Sequence, residues 1–191
     1  MNLKNIYNMI LFKPVFECTP DQLVKMLKIR NEPNIRNNMF NSKLIQLDEH
    51  IAWSKKIKFN KKDFYFAVIK NKKIIGGLGF KYFDDSKSFD WSFHISSEEN
   101  TPGIGAVLEY KSLEFIFTKY KPKILNCYVL KTNKKVSNLH KKFGFSETKI
   151  TRDFKNNYNN IENVLKLCIT KDEWKLKKTL IKNKFFTDEK K

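Results

Sequence analysis

Thr101-Pro102-Gly103-Ile104-Gly105-Ala106, running directly into the apolar-periodic segment Val107 to Phe117, decides how this chain is read. The chain has six glycines, and two of them, Gly103 and Gly105, stand where a strand-like segment (89–96) gives way to a helix-like one (104–119). Glycine at such a turn takes backbone angles that other residues resist and lets a ligand come close to the main chain. The first N–H groups of the helix behind it lack intrahelical acceptors and carry its positive dipole end, which suits an anion. A pyrophosphate held there implies a nucleotide-like cosubstrate. Short Gly-x-Gly turns also occur as plain helix starts, so the turn alone leaves both readings open.

Upstream of the turn, residues 64–70 and 73–83 read as strands joined by Asn71-Lys72, a hairpin, and Asp84-Asp85-Ser86-Lys87 turns into a further strand to 96. Nearer the N-terminus, 6–16 reads as a first strand. Thr19 followed by Pro20 caps a helix continuing over 22–30. Asn31-Glu32-Pro33-Asn34 breaks it, and Asp48 or Gln46 caps a second helix through Ile57. Downstream come a strand (124–130), a helix (134–143), and two strands (145–154 and 162–170) around a turn at 156–160. The Lys-rich tail from Lys171 reads as a short, fraying helix. This order predicts an α/β protein: a single mixed sheet with helices on both faces, in one domain over 1–191 with its core at about 6–170 and a tail over 171–191.

Composition narrows the function. At 191 residues, 41% hydrophobic and with 17 Phe, the chain can bury a real core. Cys18, Cys127 and Cys168 are isolated and read as small core residues. Three separated histidines and no carboxylate cluster give no metal ligand set. Met9-Ile10-Leu11-Phe12 is too short for a secretory leader and no segment reaches bilayer length, so a soluble cytoplasmic protein is expected. The net charge of +18 suggests a polyanion partner, but it comes from 35 Lys against three Arg, spread along the chain beside 20 Asn. Bidentate recognition of phosphates and bases favours Arg, so no specific nucleic-acid partner is expected. The general positive field would still draw anionic substrates.

A second motif joins the glycine turn. Asn133-Lys134-Lys135-Val136-Ser137-Asn138-Leu139-His140-Lys141-Lys142-Phe143-Gly144-Phe145 is also an ordinary amphipathic helix ended by Gly144. With the glycine turn and the order of elements, it resembles the GNAT acetyltransferase family, whose signature reads Asn-x-x-Ala/Ser-x-x-Leu-Tyr/His-x-Lys-x-Gly-Phe. The resemblance implies a mainly antiparallel sheet with a splayed parallel pair of strands at an acetyl-CoA site. Acetyl-CoA binding would fall on Phe93 and Ile95 of the strand edge, Asn100, Gly103, Ile104, Gly105 and Ala106 at the pyrophosphate, and Asn133, Ser137 and His140 near the thioester. Asn100 stands where the family usually has Gln or Arg, while the backbone cradle needs no side chain. His140 occupies the position of the family's Tyr acid, and His94 would face the acceptor as a base or contact. Glu114 is read as structural.

The segment Arg30-Asn31-Glu32-Pro33-Asn34-Ile35-Arg36-Asn37-Asn38-Met39-Phe40, with Leu47-Asp48-Glu49-His50-Ile51-Ala52-Trp53, is similar to the sugar-nucleotide N-acetyltransferases of the pseudaminic acid pathway. That similarity implies a UDP-linked 4-amino-dideoxy sugar as acceptor, bound by Arg30, Met39, Phe40, His50, Trp53, His94 and Tyr128, with Phe40, Trp53 and Trp91 as candidates for an aromatic wall against uracil. A homodimer is compatible with it. Arg-Asn-x-Pro also occurs in ribosomal-protein N-terminal acetyltransferases, so peptide or other small-amine acetylation is the second reading. A basic RNA- or ribosome-associated module without turnover is the third.

Overall fold

The computed structural model describes residues 2–155 and 161–186, and in 149–155, 161–162 and 186 the backbone alone. The expected turn at 156–160 lies outside the described residues. Seven strands form one sheet in the order β1-β2-β3-β4-β5-β7-β6: β1 (Ile10–Pro14), β2 (Asp63–Lys70), β3 (Lys73–Phe83), β4 (Ser88–Ile95), β5 (Ile124–Leu130), β6 (Ser146–Lys155) and β7 (Ile161–Thr170). All neighbours are antiparallel except β4 and β5.

Side-chain alternation along the strands divides the core in two. On one face, Phe66, Val68, Leu78, Phe80, Phe89 and Trp91 pack against helices α1 (Leu3–Met9), α5 (Ile104–Lys119) and α7 (Lys171–Phe186). On the other, Ala67, Ile69 and Ile74 meet α2 (Pro20–Arg30), α3 (Pro33–Arg36) and α4 (Leu47–Ile57). The remaining helix, α6 (Lys134–Lys142), follows β5.

Three expectations change. The segment 6–16 is not one strand. The Asn2 side chain accepts from the Lys4 N–H at 2.8 Å and caps α1, leaving only Ile10–Pro14 extended before a single 3₁₀ turn at Val15–Glu17. Ile6 and Ile10, both fully buried, are spaced for a helical face leading into the core. The break after α2 occurs at Asn31, and Pro33 starts the one-turn α3 rather than ending order. The tail is a 16-residue helix whose Trp174 and Ile181 are buried against the α5 side of the sheet. A Lys-rich surface concealed this two-residue inner stripe. The second helix starts at Gln46, whose N–H donates back to the Glu49 carboxylate at 3.0 Å.

Candidate active site

β4 and β5 pair over three residues only, Ser88 with Ile124, Phe89 with Leu125 and Asp90 with Asn126. The last rung is latched by Asn126 Nδ2 donating to Asp90 Oδ1 at 3.2 Å. Beyond it the strands part. β5 stays paired to β7 as far as Leu130, and β4 to β3 as far as Ile95. Residues 91–95 of β4 therefore present an unpaired backbone edge to a wedge-shaped fork. Phe93 and Ile95 lie on that edge, half-buried against the core.

The glycine turn stands beyond the end of β4. Gly103 has φ +79°, in the left-handed region, and the Leu3 side chain from α1 lies where a Cβ would go. Gly105 is different: a Cβ there would meet only Leu139 Cδ2, at an ordinary 3.6 Å. Of the three expected amide donors, Ile104 N–H is already committed to the Thr101 carbonyl at 3.2 Å. The N–H groups of Gly105 and Ala106 remain as the open donors of the helix start. These donors and the unpaired strand edge fit an extended anionic thioester carrier. Asn100 is exposed near the turn.

α6 borders the fork on the β5 side. Asn133 caps it, Oδ1 accepting from the Val136 N–H at 3.3 Å, and the buried Ser137 hydroxyl donates to the Lys134 carbonyl. His140 is 4% exposed, with its ring among Trp91, Phe93 and Phe145 at 5.2–6.1 Å between centroids. Its Nδ1 lies 2.8 and 2.9 Å from the two carboxylate oxygens of the fully buried Glu109, on α5. Burial pushes the Glu109 carboxyl up, opposed by His140. Glu114, in contrast, accepts from Tyr7 at 2.5 Å and Tyr110 at 3.2 Å and pairs with Lys178, tying α1, α5 and α7 together.

On the other face lies a cavity of about 420 Å³. Its floor is bare strand. Gly77 sits opposite His94, and Gly79 sits between Ser92 and Tyr65. A Cβ on Gly77 would come within 2.7 Å of the imidazole, and one on Gly79 within 2.6 Å of the phenol ring, so the missing side chains make room for both. Arg30, Met39, His50 and Trp53 complete the walls with Met26, Ile45 and Glu49. The His50 and Trp53 rings lie 5.1 Å apart, and Trp53 meets Tyr65 edge-on at the same distance. Arg30 and His50 both line this space, and among the described residues Arg30 Nη1 and His50 Nε2 are sealed without a hydrogen-bond partner, a costly state for buried polar groups.

The Arg-Asn-x-Pro turn holds the loop over this cavity. Asn31 exchanges two hydrogen bonds with the Ile45 backbone, and Arg36 donates to the Asn31 and Ser42 carbonyls. Glu32 accepts from Ser96 and Ser97 and fastens the turn to the end of β4. Burial, then the Arg30 charge, pushes His94 down to about 4 against an opposing pull from Glu32, so its ring is neutral near pH 7. Burial lowers His50 as well.

The structure thus gathers Arg30, Met39, His50, Trp53 and His94 around one cavity. It does not bring Phe40 or Tyr128 into that lining. Phe40 is 41% exposed on the loop, and Tyr128 lies on β5 beneath the Lys166 ammonium. Trp91 is buried between Phe80 and Phe145 on the opposite face and forms no wall. Sequence reasoning missed Tyr65, Glu109 and the purpose of Gly77 and Gly79. Two glycines at alternating positions of a strand were a readable signal for the last. Nothing in the spacing pairs Glu109 with His140.

A seven-stranded mixed sheet that forks at its parallel pair, with a glycine-led helix start at the fork, defines an acetyl-transferring architecture. Residues 16–146 match the acetyltransferase (GNAT) domain, and the chain belongs to that family; it is an acetyl-CoA-dependent N-acetyltransferase. It is 29% identical over 146 residues to the acetyltransferase PseH of Campylobacter jejuni subsp. jejuni serotype O:23/36 (strain 81-176), covering 76% of this chain and 90% of that protein. The crystal structure of Campylobacter jejuni PseH superposes with TM-score 0.65 at 20% identity, over 85% of this chain and 98% of that one. Spermidine N-acetyltransferase from Vibrio cholerae, in complex with CoA and spermine, superposes with TM-score 0.78 at 19% identity, over 87% and 98%. Among the described residues no helix is long and apolar enough to cross a membrane, and no group of three or more His, Cys, Asp or Glu could hold a metal ion.

Proposed function

We propose that this enzyme acetylates the 4-amino group of a UDP-linked 4-amino-4,6-dideoxy sugar, of the N-acetyl-β-L-altrosamine type, in pseudaminic acid biosynthesis. The observation that carries this reading is the walled cavity lined by Arg30, His50, Trp53 and His94, together with the similarity to PseH. A compact, hydroxylated, anion-bearing acceptor suits that lining. A polyamine fits less well, because the cavity sets the Arg30 cation beside Glu49, the one carboxylate in its lining.

The fork is a gap in the sheet, through which an amine from the acceptor face can reach a thioester laid along β4. Gly105 and Ala106 N–H hold the pyrophosphate. His94, neutral and weakly basic, accepts a hydrogen bond from the amine and hands its proton on to water. The amine nitrogen bonds to the thioester carbonyl carbon, the C–S bond breaks, and the departing sulfur takes a proton from His140. Turnover takes place in the cytoplasm, where acetyl-CoA is available, by a monomer or a homodimer.

The test is thiol release from acetyl-CoA with UDP- and dTDP-linked 4-amino sugars, against spermidine and N-terminal peptides. Turnover confined to the amino sugars is expected. Preference for spermidine or a peptide by tenfold or more in kcat/KM would overturn the acceptor assignment.

A further inference from the structure

Resting on His140 as the proton donor, we infer that Glu109 is a positioning residue that keeps a proton on His140 Nε2, so that the imidazole serves as a fixed donor. The protons shared by the pair decide the state of Nε2. With the carboxylate charged and both ring nitrogens protonated, the pair is neutral overall. With the carboxyl protonated and donating to Nδ1, the pair is again neutral, and the ring's own proton is on Nε2. Two states leave Nε2 bare. In one, a protonated carboxyl accepts from Nδ1–H through its other oxygen, which strands the carboxyl O–H because His140 is its one hydrogen-bond partner among the described residues. In the other, a charged carboxylate faces a neutral ring with Nδ1 protonated.

That last state puts a net negative charge where Glu109 is fully buried and His140 is 4% exposed, among three aromatic rings. Burying an uncompensated charge is costly, and so is a buried carboxyl O–H left without an acceptor. Among the described residues no cation offsets the burial of Glu109, which His140 alone opposes. Cys127, on β5, lies close by and is itself near Cys168 and Asp90. Burial, and then Glu109, pushes the Cys127 thiol well up, so it stays neutral. Both favoured states therefore carry a proton on Nε2. Among the described residues Nε2 has no hydrogen-bond partner and is not one of the sealed unpartnered atoms, whereas Nδ1 is taken by the carboxylate.

The transfer balances from either state. The thiolate takes the Nε2 proton and becomes the thiol. From the first state the carboxylate and Nδ1–H are left. From the second, the carboxyl proton passes to Nδ1 as Nε2 gives its proton up, and the same pair is left. Solvent then returns one proton.

The test uses protein labelled with ¹⁵N at histidine, whose three residues give separable ring signals. In the wild type, His140 Nε2 should carry a proton at pH 7. In Glu109→Gln that proton should be lost at a pH at least one unit lower than in the wild type. Its kcat should fall about tenfold or more, with the alkaline limb moving down and KM for acetyl-CoA unchanged. Glu109→Asp, which keeps the carboxylate, should restore the Nε2 proton. A bare Nε2 at pH 7 in the wild type would overturn the inference. So would a fall in kcat in Glu109→Gln with the Nε2 proton retained, since the loss would then be structural. If the Nε2 proton depends on Glu109 as expected while kcat does not, the positioning stands, and His140 as donor to sulfur is what fails.

Discussion

The two sides of β4 are built from different materials. The fork side offers main chain: an unpaired strand edge over 91–95 and the N–H groups of Gly105 and Ala106. The cavity side offers side chains from α2, α4, β2, β3 and β4, brought in over a floor of glycine. A backbone site recognises what every acetyl-CoA presents and tolerates wide sequence change. A side-chain site recognises one acceptor and changes with it.

That contrast can be broken or sharpened by substitution. The largest effect is expected at the chemistry between the two sides. His140→Ala should lower kcat by about 10² to 10⁴ while leaving acetyl-CoA affinity nearly unchanged. Retention of wild-type kcat across the pH profile would make the ring a bystander.

On the backbone side, Gly105→Val has room within the fold but places methyl groups beside the open donors. The variant should fold, yet lose the rise in Tm that acetyl-CoA gives the wild type, about 2.7 kcal/mol of stabilisation at a hundredfold excess over Kd. A full shift in folded Gly105→Val would move the pyrophosphate elsewhere. On the side-chain side, His50→Ala removes a buried ring from the cavity lining. KM for the acceptor should rise roughly 5- to 150-fold, the cost of about 1–3 kcal/mol for one missed buried hydrogen bond. Titration of acetyl-CoA binding by calorimetry should show no change.

The cavity also has an acid signature. His94 is pushed down to about 4 in the folded protein, against an ordinary value near 6.5 when unfolded. Between those values the unfolded chain binds the extra proton, so stability rises with pH through that window and is lost as pH falls from 6.5 toward 4. At pH 7 the folded ring is unprotonated and the unfolded one mostly so, and the penalty is small. The loss is no more than about 3 kcal/mol, lessened because the ring borders a cavity that water can enter. Urea unfolding at pH 4.5 and 7 should show a smaller difference in His94→Gln than in the wild type. Smallest of all is Phe40→Ala. Exposed and outside the lining, Phe40 should change acceptor KM by less than about threefold, within the range of surface substitutions. A larger rise would bring the loop over the acceptor.

The same contrast governed what could be read beforehand. The glycine turn, the Asn133 helix and the order of strands are local patterns, each legible because backbone geometry demands particular residues at particular places. The fork followed from them only by resemblance, since nothing in 88–96 or 124–130 marks the end of a ladder three residues long. The cavity was legible where a motif ran along the chain, as in Arg30, Met39, His50 and Trp53. It was illegible where partners come from distant elements: Tyr65 is assembled onto the site by strand register, and Glu109 meets His140 across 31 residues. Phe40 was assigned together with Met39 by resemblance, but the loop turns the two residues to different environments.

The latch of Asp90 on Asn126 has a further meaning if β4 is regarded as a ruler with two scales. Past that mark, even-numbered Ser92 and His94 measure depth into the cavity, while odd-numbered Trp91 and Phe93 measure distance along the opposite wall. One residue inserted between 90 and 94 would advance every mark by roughly 3.3 Å and also exchange the scales, because strand side chains alternate. An imidazole would then point to the core side and a phenylalanine into the cavity. Length and handedness of presentation are thereby locked together, so this strand can drift in residue type but not in residue count.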